Sequence, residues 1–111
     1  MKVRFTPMAL NDLKEIKDYI AFELSNQSAA LDIVTKIYKD ILPLENMPNL
    51  GLDLQEKIRV KTDIKYLVFG KYIVFCEILD NFVSIKRVFD SRTDYLRFAF
   101  MEYEKLEKAQ N

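Results

Sequence analysis

Closely spaced cations are the residues of this 111-residue chain best suited to chemistry. Lys57, Arg59, Lys61, Lys65 and Lys71 share a short stretch whose single anion is Asp63. A second group joins Lys86, Arg87, Arg92 and Arg97, diluted by Asp90 and Asp94. Such clusters hold phosphate or an acidic protein surface, or they form a solvated face whose edge lysines discourage aggregation. There is no histidine, the commonest general base and metal ligand near neutral pH. With one cysteine, thiolate or imidazole zinc sites are excluded, and no metal or cofactor is expected. Cys76 lies mid-strand in an apolar run and reads as an inert core residue.

The elements that must carry these residues are long and regular, because only two glycines and three prolines punctuate the chain. Residues 2–6 alternate, with Val3 and Phe5 on one face, and read as a short strand. Thr6-Pro7 supplies an N-cap followed by proline at the first helical position. An amphipathic helix follows over 7–24, its apolar stripe being Leu10, Leu13, Ile16, Tyr19 or Ile20, and Leu24. Asn11, Asp12, Lys14, Glu15, Lys17 and Asp18 fall opposite that stripe. Ser25-Asn26 interrupts, and a second helix over 27–42 carries Ala30, Ile33 or Val34, Ile37 and Ile41. Pro43 should stop or kink it, and the short link at Ser25-Asn26 makes the two helices an antiparallel hairpin. Pro48-Asn49-Leu50-Gly51 is a loop.

From Ile64 the period becomes strand-like. Residues 64–69, 72–79 and 82–89 are rich in β-branched and aromatic side chains. Gly70-Lys71 fits a type II′ turn and Asp80-Asn81 a type I′ turn, which makes the three strands an antiparallel meander. A last helix is expected over 93–108, with Leu96, Phe100, Tyr103 and Leu106 on one stripe. The fold class is α+β in the order β-α-α-β-β-β-α. An antiparallel sheet, the meander plus the N-terminal strand, packs against a helical hairpin in one domain over 1–111. Period-two arithmetic places Val83, Ile85, Arg87 and Phe89 on one face of the last strand. A guanidinium there needs a partner. That partner is a carboxylate such as Glu77 or helix carbonyls; alternatively Arg87 is a cation in a concavity.

Net charge is zero, yet residues 1–56 carry 6 basic and 9 acidic side chains and residues 57–111 carry 11 and 8. The second half is therefore the basic one. Half the residues are apolar, and six tyrosines and eight phenylalanines add core-forming area. That composition excludes disorder and supports a core without disulfides or metals. No apolar run approaches the ~20 residues that cross a bilayer. The first residues lead into Thr6-Pro7 without an apolar stretch, so no secretion signal is expected and a cytoplasmic location is.

Several segments together look familiar. Val3-Arg4-Phe5-Thr6-Pro7-Met8-Ala9, followed by Asp12-Leu13 and Ile16-Lys17-Asp18-Tyr19-Ile20, resembles the opening of RelE/ParE-superfamily toxins. Ala29-Ala30 with Ile33-Val34 and Ile37, then Leu44 and Pro48-Asn49-Leu50-Gly51, is similar to their second helix and following loop. Lys71-Tyr72-Ile73-Val74-Phe75 and Val83-Ser84-Ile85-Lys86-Arg87-Val88 resemble their third and fourth strands. Arg92-Thr93-Asp94-Tyr95 is similar to their closing Arg-x-Asp-Tyr element. The Ala-Ala helix and the Lys-Tyr-Ile-Val-Phe strand are closer to the ParE branch.

The resemblance implies the toxin of a bacterial type II toxin–antitoxin pair, with a cognate antitoxin as partner and a homodimer or toxin–antitoxin heterotetramer as its assemblies. ParE-like members inhibit DNA gyrase without a hydrolytic site, which gives Lys57, Arg59, Lys61 and Arg92 as target-binding candidates. RelE-like members instead enter the ribosome and cut mRNA. On that alternative Lys57, Lys61, Arg87, Arg92 and Tyr95 supply the residue types for metal-free cleavage. Nuclease members often carry a histidine just after the last strand, where this chain reads Val88-Phe89-Asp90. A neutral chain also lacks the positive charge expected of a ribosome-directed protein. Phe22, Phe98 and Met101 are the antitoxin-binding candidates, and an inactive relative that only binds an antitoxin is the third reading.

Overall fold

A computed structural model describes residues 1–91. The last-helix expectation over 93–108 lies outside these residues, as do Arg92, Tyr95, Arg97, Phe98 and Met101. The chain begins with β1 (Lys2–Phe5), α1 (Pro7–Leu24) and α2 (Gln27–Ile41). It continues with β2 (Leu52–Asp53), α3 (Leu54–Ile58), β3 (Lys65–Phe69), β4 (Tyr72–Ile78) and β5 (Phe82–Asp90). The α+β class and the helical hairpin are as expected from the pattern. The Thr6 hydroxyl accepts the Ala9 N–H at 3.1 Å, with Pro7 in the first turn. Ser25 ends α1 in the left-handed region at φ 48°, and its N–H returns to the Ala21 and Phe22 carbonyls. Asn26 then caps α2 through its side chain.

The sheet order is β1-β5-β4-β3-β2. Pairing is antiparallel throughout the meander, but β1 runs parallel to β5, with Val3 beside Val83 and Phe5 beside Ile85. The sheet is therefore mixed. Side-chain alternation in β1 shows which face is buried and carries no information about strand direction. A fifth strand, the two-residue β2, and the one-turn α3 were also absent from the pattern reading. Both are too short to show a period. Gly51 explains why β2 sits where it does: a Cβ there would lie 2.9 Å from the Cβ of Lys65 on the neighbouring strand.

The turns divide. Gly70 has φ +58°, while Lys71 is not among the positive-φ residues, which suits the expected type II′ geometry. Asp80-Asn81 is different. Among the described residues positive φ occurs at Ser25, Arg59 and Gly70 alone, so this turn is not type I′. Neither residue is glycine, and a left-handed pair would cost roughly 1–2 kcal/mol per residue.

Both faces of the sheet are covered. Ala9, Leu13, Ile37 and Ile41 of the hairpin pack on Leu67, Tyr72, Val74, Cys76, Val83, Ile85 and Val88. On the other side Leu54 and Ile58 of α3 cluster with Ile73 and Phe75, joined by Val60, Ile64, Tyr66 and Phe89. Hence the first five residues of β4 are all buried, as a central strand between two layers requires. The stripe expected for α2 is the buried one, whereas in α1 Leu10, Tyr19 and Leu24 are exposed and Ala9 and Asp12 are buried.

Gly51→Ala should destabilise the chain by about 1–3 kcal/mol through overpacking against β3, read as a lower urea midpoint with unchanged slope. Cys76 gives a second test. Burial raises its thiol from 9.0 to about 11, against a smaller opposing pull from Lys65. The native protein should resist Ellman's reagent at pH 8 and react once unfolded. Because the folded state favours the thiol over the thiolate, this contribution is intact below pH 9 and is lost between pH 9 and about 11. Rapid labelling of the folded chain at pH 8 would contradict the burial.

Candidate functional site

The sequence-derived cations fall into two settings. Lys57 lies in α3, Arg59 is its C-cap, and Lys61 follows in the connection to β3. The apolar residues of this stretch, Leu54, Ile58, Val60 and Ile64, turn onto the sheet. Lys57, Arg59 and Lys61 are all exposed. The Lys57 ammonium stands 5.0 Å from the Tyr66 ring centroid. Arg59 holds φ 60° and ψ 29°, the left-handed region. The connection is tied back by the Thr62 N–H, which donates to Gln55 Oε1 at 3.4 Å, and by the Ile64 N–H, which donates to Thr62 Oγ1. The sequence thus folds this turn by turning its apolar residues inward and leaving the cations outside, beside Gln55, Glu56 and Asp63. Gln55, Glu56, Arg59 and Lys61 line an open cleft beside it.

Arg87 is placed differently. A register shift between Phe75 and Cys76 sets Phe75 opposite Arg87 and Cys76 opposite Ile85, leaving Lys86 as the extra residue of a bulge. Val83 and Ile85 face the hairpin before the bulge, and Val88 does so after it. Phe89 joins the opposite cluster. The expected single face through Val83, Ile85, Arg87 and Phe89 is therefore broken, since period-two counting assumes no inserted residue.

Arg87 pairs bidentately with Asp12 of α1. Its Nε donates to Oδ2 at 2.7 Å and its terminal nitrogen donates to Oδ1 at 2.9 Å. Asp12 Oδ2 also accepts the Val88 N–H at 2.9 Å. The guanidinium lies 4.5 Å from the Phe89 ring centroid. Glu77, one partner the sequence allowed for, instead lies 3.8 Å from Lys86. Asp12 is 6% exposed although its place in the sequence suggested the polar face. One signal could have found it: Asp12 falls between Ala9 and Ile16 at the same helical steps that lead to Ile20.

Chemically, Asp12 and Arg87 form a bidentate ion pair, while the α3 turn carries three exposed cations. Lys57 and Lys61 share that turn, and Arg87 stands apart from it on β5, bound to α1. Among the described residues no three His, Cys, Asp or Glu side chains converge as a metal site, and no helix is long and apolar enough to cross a membrane. Of the antitoxin candidates Phe22 is 81% exposed on α1. Met8 and Tyr19 lie on the same flank at helical spacing, and Leu31 and Tyr38 are exposed on α2.

These features sit on a sheet and hairpin shared with a known class of protein. The family model for the ParE toxin of type II toxin–antitoxin systems, parDE, matches residues 3–95, and the chain belongs to that family. A solved chain from the chromosomal ParDE toxin–antitoxin system of P. aeruginosa has the same fold, with a TM-score of 0.69 at 21% identity. The match covers 81% of this chain and 95% of that one. No curated protein matches the sequence.

Breaking the largely buried Asp12–Arg87 pair removes its bidentate hydrogen bonds, at a cost of roughly 3–5 kcal/mol. Asp12→Ala should lose more than Arg87→Lys, because it also orphans the Val88 N–H. Chemical denaturation of both variants measures this. Equal, small losses would show that the pair is dispensable.

Proposed function

We propose that this protein is a ParE-type toxin that acts by binding, inhibits DNA gyrase, and is neutralised by a cognate antitoxin. The family match over residues 3–95 carries the reading. The α3 turn supports a binding rather than a catalytic role. Its cations are fixed outward by buried neighbours, and no imidazole exists anywhere in the chain to move a proton. Lys57, Arg59, Lys61 and Arg92 are the proposed target contacts.

The antitoxin would cover apolar area on the helical layer. Met8, Tyr19 and Phe22 on α1 form an anchor series of the kind an amphipathic helix seats. A large exposed aromatic such as Phe22 belongs with the aromatic anchors that dominate protein interfaces. Phe98 and Met101 are proposed as further contacts.

Purified toxin is tested against gyrase supercoiling in one reaction and translating ribosomes with mRNA in another. Charge reversal at Lys57, Arg59 or Lys61 should weaken gyrase inhibition in steps of about 1–3 kcal/mol for a hydrogen-bonded cation. Phe22→Ala should weaken antitoxin binding by about 1–4 kcal/mol and leave gyrase inhibition unchanged. Codon-positioned mRNA cuts that vanish with Arg92→Ala or Tyr95→Phe, with gyrase unaffected, would refute the gyrase reading.

A further inference from the structure

We infer that the turn following α3 binds the phosphodiester backbone of duplex DNA. The inference deepens the target reading above and takes its biological setting from it. Its physical argument stands on the turn alone. Lys57, Arg59 and Lys61 project from a single stretch of five residues whose intervening side chains, Ile58 and Val60, are anchored on the sheet. Three long cationic arms on one pinned segment suit an extended polyanion, which presents a charge about every 3.4 Å along each strand. A lone carboxylate on a protein surface would meet one of the three.

Arg59 strengthens the case. A non-glycine residue at φ 60° is strained, and glycine would relieve that strain. The side chain kept at this position is exposed and lines the cleft with Lys61. Lys57 is held near the Tyr66 ring. Among the described residues, Glu56 is the one carboxylate lining the cleft, and within 56–63 it and Asp63 are outnumbered by the three cations. Lys14 and Lys36 lie on the helical hairpin instead, each one helical turn from an aspartate, Asp18 and Asp40.

The test is fluorescence anisotropy of a short labelled duplex of mixed sequence with the full chain across a salt series. Three phosphate contacts predict a slope of about −2.7 in log K against log salt, so binding falls about 40-fold between roughly 50 and 200 mM salt. Arg59→Gly suits the left-handed backbone and so keeps the fold; it should reduce the slope by about 1. K57E/K61E should abolish binding. K14E/K36E, with the same change in net charge, should retain most of it.

Absence of binding at low salt, or equal damage from the two double variants, overturns the site. Displacement of the duplex by polyglutamate at equal charge overturns it too, in favour of an acidic protein surface. The same variants enter the supercoiling assay. Duplex binding without gyrase inhibition sinks the target reading and leaves the DNA site standing. Inhibition without duplex binding does the reverse.

Discussion

The joint between α1 and β5 is the constraint on which the rest of this fold depends. β1 stops at Phe5, so among the described residues β5 has no strand neighbour on that side beyond Ile85, and the bulge at Lys86 disrupts the ladder there as well. Backbone groups left without partners inside a protein cost about as much as a lost hydrogen bond. The start of α1 supplies what the sheet lacks. The Thr6 N–H donates to the Ile85 carbonyl, the Thr6 hydroxyl donates to the Lys86 carbonyl, and Asp12 accepts the Val88 N–H. Arg87 then balances the charge that Asp12 brings. Helix capping, strand completion and ion pairing are thus one arrangement, and it sets the angle at which the hairpin lies on the sheet.

From that joint the two layers follow. With α1 docked at β5, the hairpin covers Val74, Cys76 and Leu67, and the chain returns to the far edge through Leu44, which is fully buried. Gly51 lets the chain pass close against β3 before α3 folds across the other face. Ile73 and Phe75 alternate with Val74 and Cys76 along β4, so one strand serves both clusters. A central strand buried on both sides explains the fully buried Cys76.

The same architecture separates two kinds of surface. The hairpin leaves aromatic and aliphatic side chains exposed at Tyr19, Phe22, Leu31 and Tyr38, while Lys14 and Lys36 pair with Asp18 and Asp40. The α3 turn exposes cations above a small apolar anchor. An apolar partner and a polyanion would therefore meet different layers of the molecule. In a ParE-family toxin, that separation leaves room for an antitoxin and a target to be recognised by different physics.

Periodicity was enough for the long elements. Both helices, their caps and the three meander strands are written in local spacing, because burial of one face imposes a repeat that survives in the sequence. The charge of the 57–61 stretch and the core position of the solitary cysteine were equally legible. Three things were decided only in three dimensions. The direction of β1 beside β5 is invisible to alternation. The bulge at Lys86 put Val88 rather than Arg87 on the inner face, and an inserted residue leaves no mark in the strand's own alternation. Asp12 looked like one more polar residue on a solvated face, and became the buried partner of a guanidinium 75 residues away. Local sequence specifies what each segment can bury; which charges end up together depends on segments that meet only after folding.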